Sequence, residues 1–145
     1  MTSETSSVVS GRCLCGAVSF RIETAKRDVD ICHCSMCRRW SSGPFIGLAH
    51  DGKVAFGGAG NIGVYKSSEW GERGFCKVCG TSLYWHLADS DHYSFSAGTL
   101  DDQSVLTLTQ QIFIDEKPAY YDLANDTPKL TGEEAVAAFI SGQAK

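Results

Sequence analysis

The amino-acid sequence predicts a single, mostly β domain. Most apolar segments are short and alternate with polar residues at a period of two, which is the pattern of half-buried strands. Only one segment, close to the C-terminus, has the periodicity of a helix. The seven cysteines fall into close groups in a chain of 145 residues, the length of one domain. We therefore expect antiparallel sheets, one short C-terminal helix and metal held by cysteines.

Composition and charge narrow the class of protein. Hydrophobic residues make up 43% and charged residues 21% of the chain, as in ordinary globular proteins. The net charge of −4 argues against a nucleic-acid partner, which would need a basic face. No apolar run approaches the roughly 20 residues of a membrane span. The N-terminal residues lack a secretory signal, so we expect a disordered leader at residues 1–10, a zinc-binding β domain at residues 11–145 and a cytoplasmic location.

The first predicted strand covers residues 11–22. Its alternation places Leu14, Val18 and Phe20 on one face and the pair Cys13 and Cys15 on the other. An apolar face of this kind packs on a core. The two cysteines would then point elsewhere and be available to a metal ion.

Further strands are predicted in the middle of the chain. Residues 45–49 form a buried strand, the dipeptide at 51–52 is a hairpin turn, and residues 54–56 are its return strand. Residues 58–63 match the dinucleotide fingerprint GxGxxG, but a strand follows at 64–68 where a phosphate-binding helix would be required. We interpret this glycine-rich segment as a turn.

The second half of the chain continues the pattern. Strands are predicted at residues 81–85, 93–98 and 105–109. Thr131 and Glu134 have the spacing of a capping box, which predicts the start of the C-terminal helix, and Gly142 would end it.

Three cysteines stand within six residues at Cys32, Cys34 and Cys37. If residues 32–34 are extended, the first two sulfurs point one way and His33 points the other, which favours a supporting role for His33 over ligation. A turn at residues 35–36 would bring Cys37 beside them. Three thiolates leave one corner of a tetrahedral zinc vacant, as in catalytic sites.

The remaining cysteines form two close pairs. Cys76 and Cys79 belong to a CxxCG zinc knuckle, and they make an economical set of four with Cys13 and Cys15. Spacing alone permits other groupings of the seven cysteines, because Cys34 and Cys37 could form one knuckle and Cys76 and Cys79 a second. An iron–sulfur cluster is also conceivable.

Four motifs together resemble the glutathione-dependent formaldehyde-activating enzyme family, which includes the centromere protein V relatives. They are GxCxCGAVxF from Gly11, CHCSMCRR from Cys32, FCxxCGTxL from Phe75 and SAGTLDD from Ser96. The resemblance extends to about Pro128. It implies a tent-like β fold and two zinc ions per chain. The structural zinc would lie on Cys13, Cys15, Cys76 and Cys79, and the catalytic zinc on Cys32, Cys34 and Cys37.

The same resemblance implies a carbon–sulfur lyase. The reaction would condense glutathione with formaldehyde to give S-hydroxymethylglutathione, or reverse that step. Arg38 and Arg39 adjoin the cysteine loop and could bind the carboxylates of glutathione, and Trp40 could line the pocket. Relatives usually have His-Ile before the late strand, where this chain has Gln111 and Ile112, and a tryptophan is common at the position of Tyr120.

Two other functions remain compatible with the residues. A zinc-thiolate enzyme could act on another thiol adduct, as the departures at Gln111 and Tyr120 suggest. A zinc module without enzymatic activity could instead bind a thiol or a partner. An open three-cysteine site favours an enzyme, whereas a fourth protein ligand would favour the module. The sequence carries no prediction of oligomeric state.

Overall fold

A computed structural model describes residues 6–142. The described chain divides into two compact units, one formed by residues 6–27 and 47–105 and the other by residues 28–46 and 106–142. Ten strands and two α-helices lie within residues 6–142, so the mostly β prediction is confirmed. None of the helices in this range has the length and apolar character needed to cross a membrane.

The first unit begins with a small antiparallel sheet. Its strands are β1 (Ser7–Arg12), β2 (Ser19–Thr24) and β5 (Ala55–Gly57), with β2 in the middle. Residues 7–10 belong to β1, so the predicted disordered leader is wrong for these residues. Residues 1–5 of the leader lie outside the described residues.

The predicted strand at residues 11–22 is interrupted by a turn. Gly16 has a φ of +83°, which a glycine adopts readily, and the backbone N–H of Cys13 donates to the carbonyl of Val18 across the turn at 3.0 Å. Leu14, expected on the core face, is 83% exposed. The alternation holds only after the turn, where Phe20 and Ile22 on β2 are buried.

Five further strands of the first unit hydrogen-bond in the order β4, β9, β8, β7 and β6. Their bounds are Phe45–Asp51 for β4, whose first two residues belong to the second unit, His92–Ser96 for β9, Ser82–Leu87 for β8, Gly71–Cys76 for β7 and Ile62–Lys66 for β6. The predicted hairpin is wrong, because β4 pairs with β9 and β5 pairs with β2. The glycine-rich segment is a short 3-10 turn at Ala59–Asn61, as the turn interpretation expected.

Aromatic side chains form much of the first unit's core. The rings of Phe20 and Phe95 stack with centroids 4.4 Å apart, and Leu48 and Leu83 are fully buried. Burial of these side chains removes apolar surface from water. The resulting hydrophobic effect is the main favourable contribution to the packing of these strands.

The second unit contains a parallel strand pair and both helices. β3 (Asp28–Cys32) pairs in parallel with β10 (Thr107–Ile112), so the expectation of antiparallel sheets is corrected to mixed pairing. Helix α1 (Ser35–Ser41) replaces the turn expected after Cys34. Helix α2 (Gly132–Ile140) has the predicted capping box, in which Thr131 and Glu134 bind each other's backbone N–H groups.

Candidate metal centre

Four cysteines meet in the first unit. Cys13 and Cys15 lie on the turn between β1 and β2, and Cys76 and Cys79 lie at the end of β7 and on the turn that follows. All four sulfurs lie within 4.8 Å of one another. The sulfur of Cys15 lies 3.7 Å from the sulfur of Cys13 and 3.9 Å from that of Cys76. Tetrahedral zinc with Zn–S bonds of about 2.3 Å needs sulfurs about 3.8 Å apart, so this cluster could hold such an ion.

Two tight turns direct backbone N–H groups at these sulfurs. The N–H of Val18 donates to the sulfur of Cys13 at 3.3 Å, and the N–H groups of Val78 and Cys79 donate to Cys76 at 3.4 Å. The Thr81 hydroxyl, together with nearby backbone N–H groups, lowers the pKa of Cys79 to about 5. Hydrogen bonds to sulfur favour the thiolate form, which is the form that binds metal.

The other three cysteines meet in the second unit, at the junction of β3 and α1. Cys32 ends β3, Cys34 caps the N-terminus of α1 and Cys37 lies in the helix's first turn. Their sulfurs also lie within 4.8 Å of one another, and each residue is at most 9% exposed. Among residues 6–142 no histidine, aspartate, glutamate or further cysteine joins this group. An ion bound here would have three cysteine ligands and a fourth position that none of these four residue types fills within residues 6–142.

Short contacts among the three sulfurs set their protonation. Hydrogen bonds from Cys32 and Cys37 lower the pKa of Cys34, and the backbone N–H of Cys37 adds a further bond at 3.3 Å. Hydrogen bonds with Cys34 and Cys37, together with burial, raise the pKa of Cys32. A thiolate at Cys34 is therefore stabilised by its neighbours, and the cluster is a suitable donor set for a thiophilic metal ion.

Apolar side chains surround the three-cysteine cluster. Phe45, Ile112 and Phe113 pack against it. Phe113 has a φ of +55°, an uncommon conformation for a large side chain. A Cβ atom built on Gly132 would lie 2.5 Å from the Phe113 ring, so α2 approaches this ring closely where it begins. The cluster is thus held in a largely apolar environment, which strengthens electrostatic interactions.

His33 lies between Cys32 and Cys34 in the sequence, and the residue is fully buried. Its ring nitrogens contact the Gln111 side-chain carbonyl at 2.8 Å and the Tyr121 hydroxyl at 2.9 Å. His33 does not group with the three sulfurs and its ring is hydrogen-bonded, while its supporting role stays a prediction. Its partners lie 78 and 88 residues further along the chain, and no local pattern indicates them.

The predicted substrate residues lie on α1, and their role stays a prediction. Arg38 donates from Nε to the backbone carbonyl of His33 at 2.9 Å, so part of its guanidinium supports the cysteine loop. Arg39 is exposed and Trp40 is half-buried. Of the two departures from the family pattern, Gln111 is buried against His33, whereas Tyr120 is 78% exposed.

The chain is similar to known proteins over most of its length. A model of the glutathione-dependent formaldehyde-activating enzyme family matches residues 8–116. The chain belongs to this family. The matched segment includes all seven cysteines and Gln111, whereas Tyr121 lies beyond it.

Two individual proteins resemble the chain. A protein of Schizosaccharomyces pombe described as an uncharacterised lyase is 34% identical over 131 residues, which cover 90% of this chain and 96% of the relative. A crystal structure of a Rhodobacter sphaeroides protein has a TM-score of 0.55 at 26% identity. That likeness covers 63% of this chain and 87% of the other, and it supports the fold.

Proposed function

We propose that the protein is a zinc-dependent carbon–sulfur lyase that joins glutathione to formaldehyde and catalyses the reverse step. The observation that carries this proposal is the buried group of three cysteines that no fourth ligand joins among residues 6–142. Membership of the formaldehyde-activating family supports the choice of glutathione and formaldehyde as substrates, and the lyase described in Schizosaccharomyces pombe agrees with the reaction class. The product would be S-hydroxymethylglutathione.

Cys32, Cys34 and Cys37 would hold the catalytic zinc. Zinc bound by these thiolates would supply a position at which a substrate thiol loses its proton and is oriented as a nucleophile. In the reaction, the sulfur of glutathione donates an electron pair to the carbon of formaldehyde and forms the carbon–sulfur bond. As this bond forms, the π electron pair of the formaldehyde C=O bond moves to its oxygen, which takes up the proton that the thiol lost and gives the hydroxymethyl group.

The surrounding residues would bind and shield the substrates. Phe45, Ile112 and Phe113 keep the three-cysteine cluster apolar, which limits the access of water. Arg38 and Arg39 are the proposed partners of the glutathione carboxylates, because a guanidinium binds a carboxylate through two hydrogen bonds. Trp40, which is half-buried on α1, would line the pocket that binds glutathione.

The four-cysteine cluster would hold a second, structural zinc. Its four sulfurs would complete a tetrahedral coordination shell, so no position would remain for a substrate. None of the seven cysteines, all of which lie within residues 6–142, forms a disulfide. A cytoplasmic location would suit both clusters, because the reducing conditions there prevent the disulfides that would consume metal ligands.

Exchange NMR with carbon-13 formaldehyde and glutathione tests the proposed reaction. The wild-type protein should accelerate the interconversion of formaldehyde and S-hydroxymethylglutathione in proportion to enzyme concentration. Cys34→Ser should lower this acceleration by at least roughly 100-fold, the upper range for loss of a residue that only supports a metal ligand. Ser35→Ala, a change at an exposed neighbour, is the matched control and should keep the activity.

The same experiment separates the alternatives. No acceleration by zinc-loaded wild-type protein would contradict the proposed reaction and would favour another thiol adduct or a non-enzymatic zinc module. Full activity in Cys34→Ser would contradict the assignment of the catalytic site.

A further inference from the structure

We infer that His33 is a positioning residue, which fixes the three-cysteine cluster through the side chains of Gln111 and Tyr121. The two hydrogen bonds made by its ring nitrogens with these side chains form the His33 tether. The inference concerns how the cysteine loop is held. Its consequence for catalysis rests on the proposed function.

Every polar group of His33 has a partner. The ring nitrogens bind Tyr121 and Gln111, and the backbone N–H donates to the carbonyl of Ile112 at 3.1 Å. The backbone carbonyl accepts from Arg38. The residue between Cys32 and Cys34 is thus held at four points, and a buried group with all its partners is costly to move.

The hydrogen-bond donors in the tether can be assigned for a neutral ring. Gln111 donates from Nε2 to the Thr127 hydroxyl at 3.2 Å, which turns its Oε1 toward His33. Because Oε1 only accepts, Nε2 of His33 carries the proton. Nδ1 then accepts from the Tyr121 hydroxyl. Each side chain therefore donates a hydrogen bond to the next one in the series Tyr121, His33, Gln111 and Thr127.

The tether acts on the cluster through the backbone. Side chains alternate along an extended segment, so the His33 ring and the two neighbouring sulfurs project to opposite sides of the same short stretch. Fixing the ring therefore limits the rotation of the backbone that carries Cys32 and Cys34. A site whose ligands are already placed loses less conformational entropy when it binds a metal ion.

Tyr121→Phe removes one bond of the tether while it keeps the aromatic ring. Tyr120→Phe makes the same chemical change at the adjacent, exposed tyrosine and is the matched control. Gln111→Leu removes the other bond, and Gln110→Leu on the same strand is its control. Tyr121→Phe tests the inference with the smallest change in volume.

The first readout is the release of zinc to a colorimetric chelator. Two phases are expected from wild-type protein, and the phase missing from Cys34→Ser belongs to the three-cysteine cluster. Tyr121→Phe should accelerate that phase about fivefold, the effect of losing one ordinary hydrogen bond, and Gln111→Leu, which also loses the bond to Thr127, should accelerate it at least as much. The four-cysteine phase should be unchanged, and both controls should match wild type. Equal acceleration of both phases, or of neither, would overturn the inference.

Amide hydrogen exchange provides a readout that does not depend on metal in the three-cysteine cluster. Peptides that cover residues 32–38 should exchange faster in Tyr121→Phe than in Tyr120→Phe, with no difference in peptides that cover residues 76–80. Identical exchange in the two variants would overturn the inference. If wild-type protein binds only one zinc, the proposed metal role fails, and exchange at residues 32–38 still decides whether His33 positions the loop.

Discussion

At the scale of residues, the two cysteine groups differ in number and in burial. In the first unit, Cys13 and Cys76 are buried while Cys15 and Cys79 are exposed, and the turns supply N–H donors to their sulfurs. In the second unit all three cysteines are buried. Four thiolates complete a tetrahedral zinc site, whereas three leave a position for another ligand. The same residue type would thus serve stability in one unit and chemistry in the other.

Serine substitutions in the two groups should therefore have different effects on stability. Cys76→Ser should lower the free energy of unfolding by more than about 3 kcal/mol, because binding of a structural zinc contributes roughly 10 kcal/mol or more to folding. Cys34→Ser should cost less and leave a folded protein that has lost one zinc. Circular dichroism melting and zinc analysis of both variants measure this difference. Equal melting losses would show that the two groups have the same role.

At the scale of elements, local signals predicted some boundaries and missed others. The capping box of Thr131 and Glu134 predicted α2, because both contacts depend on neighbouring residues. Helix α1 has only seven residues and a cysteine as its N-cap, so it lacks the usual start signal and is too short for a clear helical period. The turn at Gly16 was missed because the apolar alternation happens to continue across it.

The start of α2 is expected to affect the three-cysteine cluster through Phe113. Gly132→Ala should lower the free energy of unfolding by about 1–3 kcal/mol, since the new methyl group would overlap the Phe113 ring. Alanine favours helices more than glycine does, so a loss would come from this overlap. Gly98→Ala is the control, because a Cβ there meets no heavy atom within 4 Å. Equal stability of the two variants in urea unfolding would contradict this packing argument.

At the scale of the whole molecule, the sequence predicted the mostly β class and the grouping of the cysteines. Those features depend on short-range patterns and on closely spaced motifs. The parallel pairing of β3 with β10 and the partners of His33 depend on residues that are about 80 positions apart. No short sequence pattern predicts such contacts, because they form when segments that are distant in the sequence pack together. The sequence could therefore indicate the two cysteine groups and a supporting role for His33, but not that Gln111 and Tyr121 bind its ring.

The proposed function requires that the three-cysteine cluster hold a metal ion with a position open to a substrate thiol. Titration of glutathione into the cobalt-substituted protein tests it most directly, because sulfur binding changes the visible absorption of cobalt. We predict a change that saturates at one glutathione per chain, is absent with S-methylglutathione and is lost in Cys34→Ser. An unchanged spectrum at saturating glutathione, with cobalt in both clusters, would contradict the proposed function.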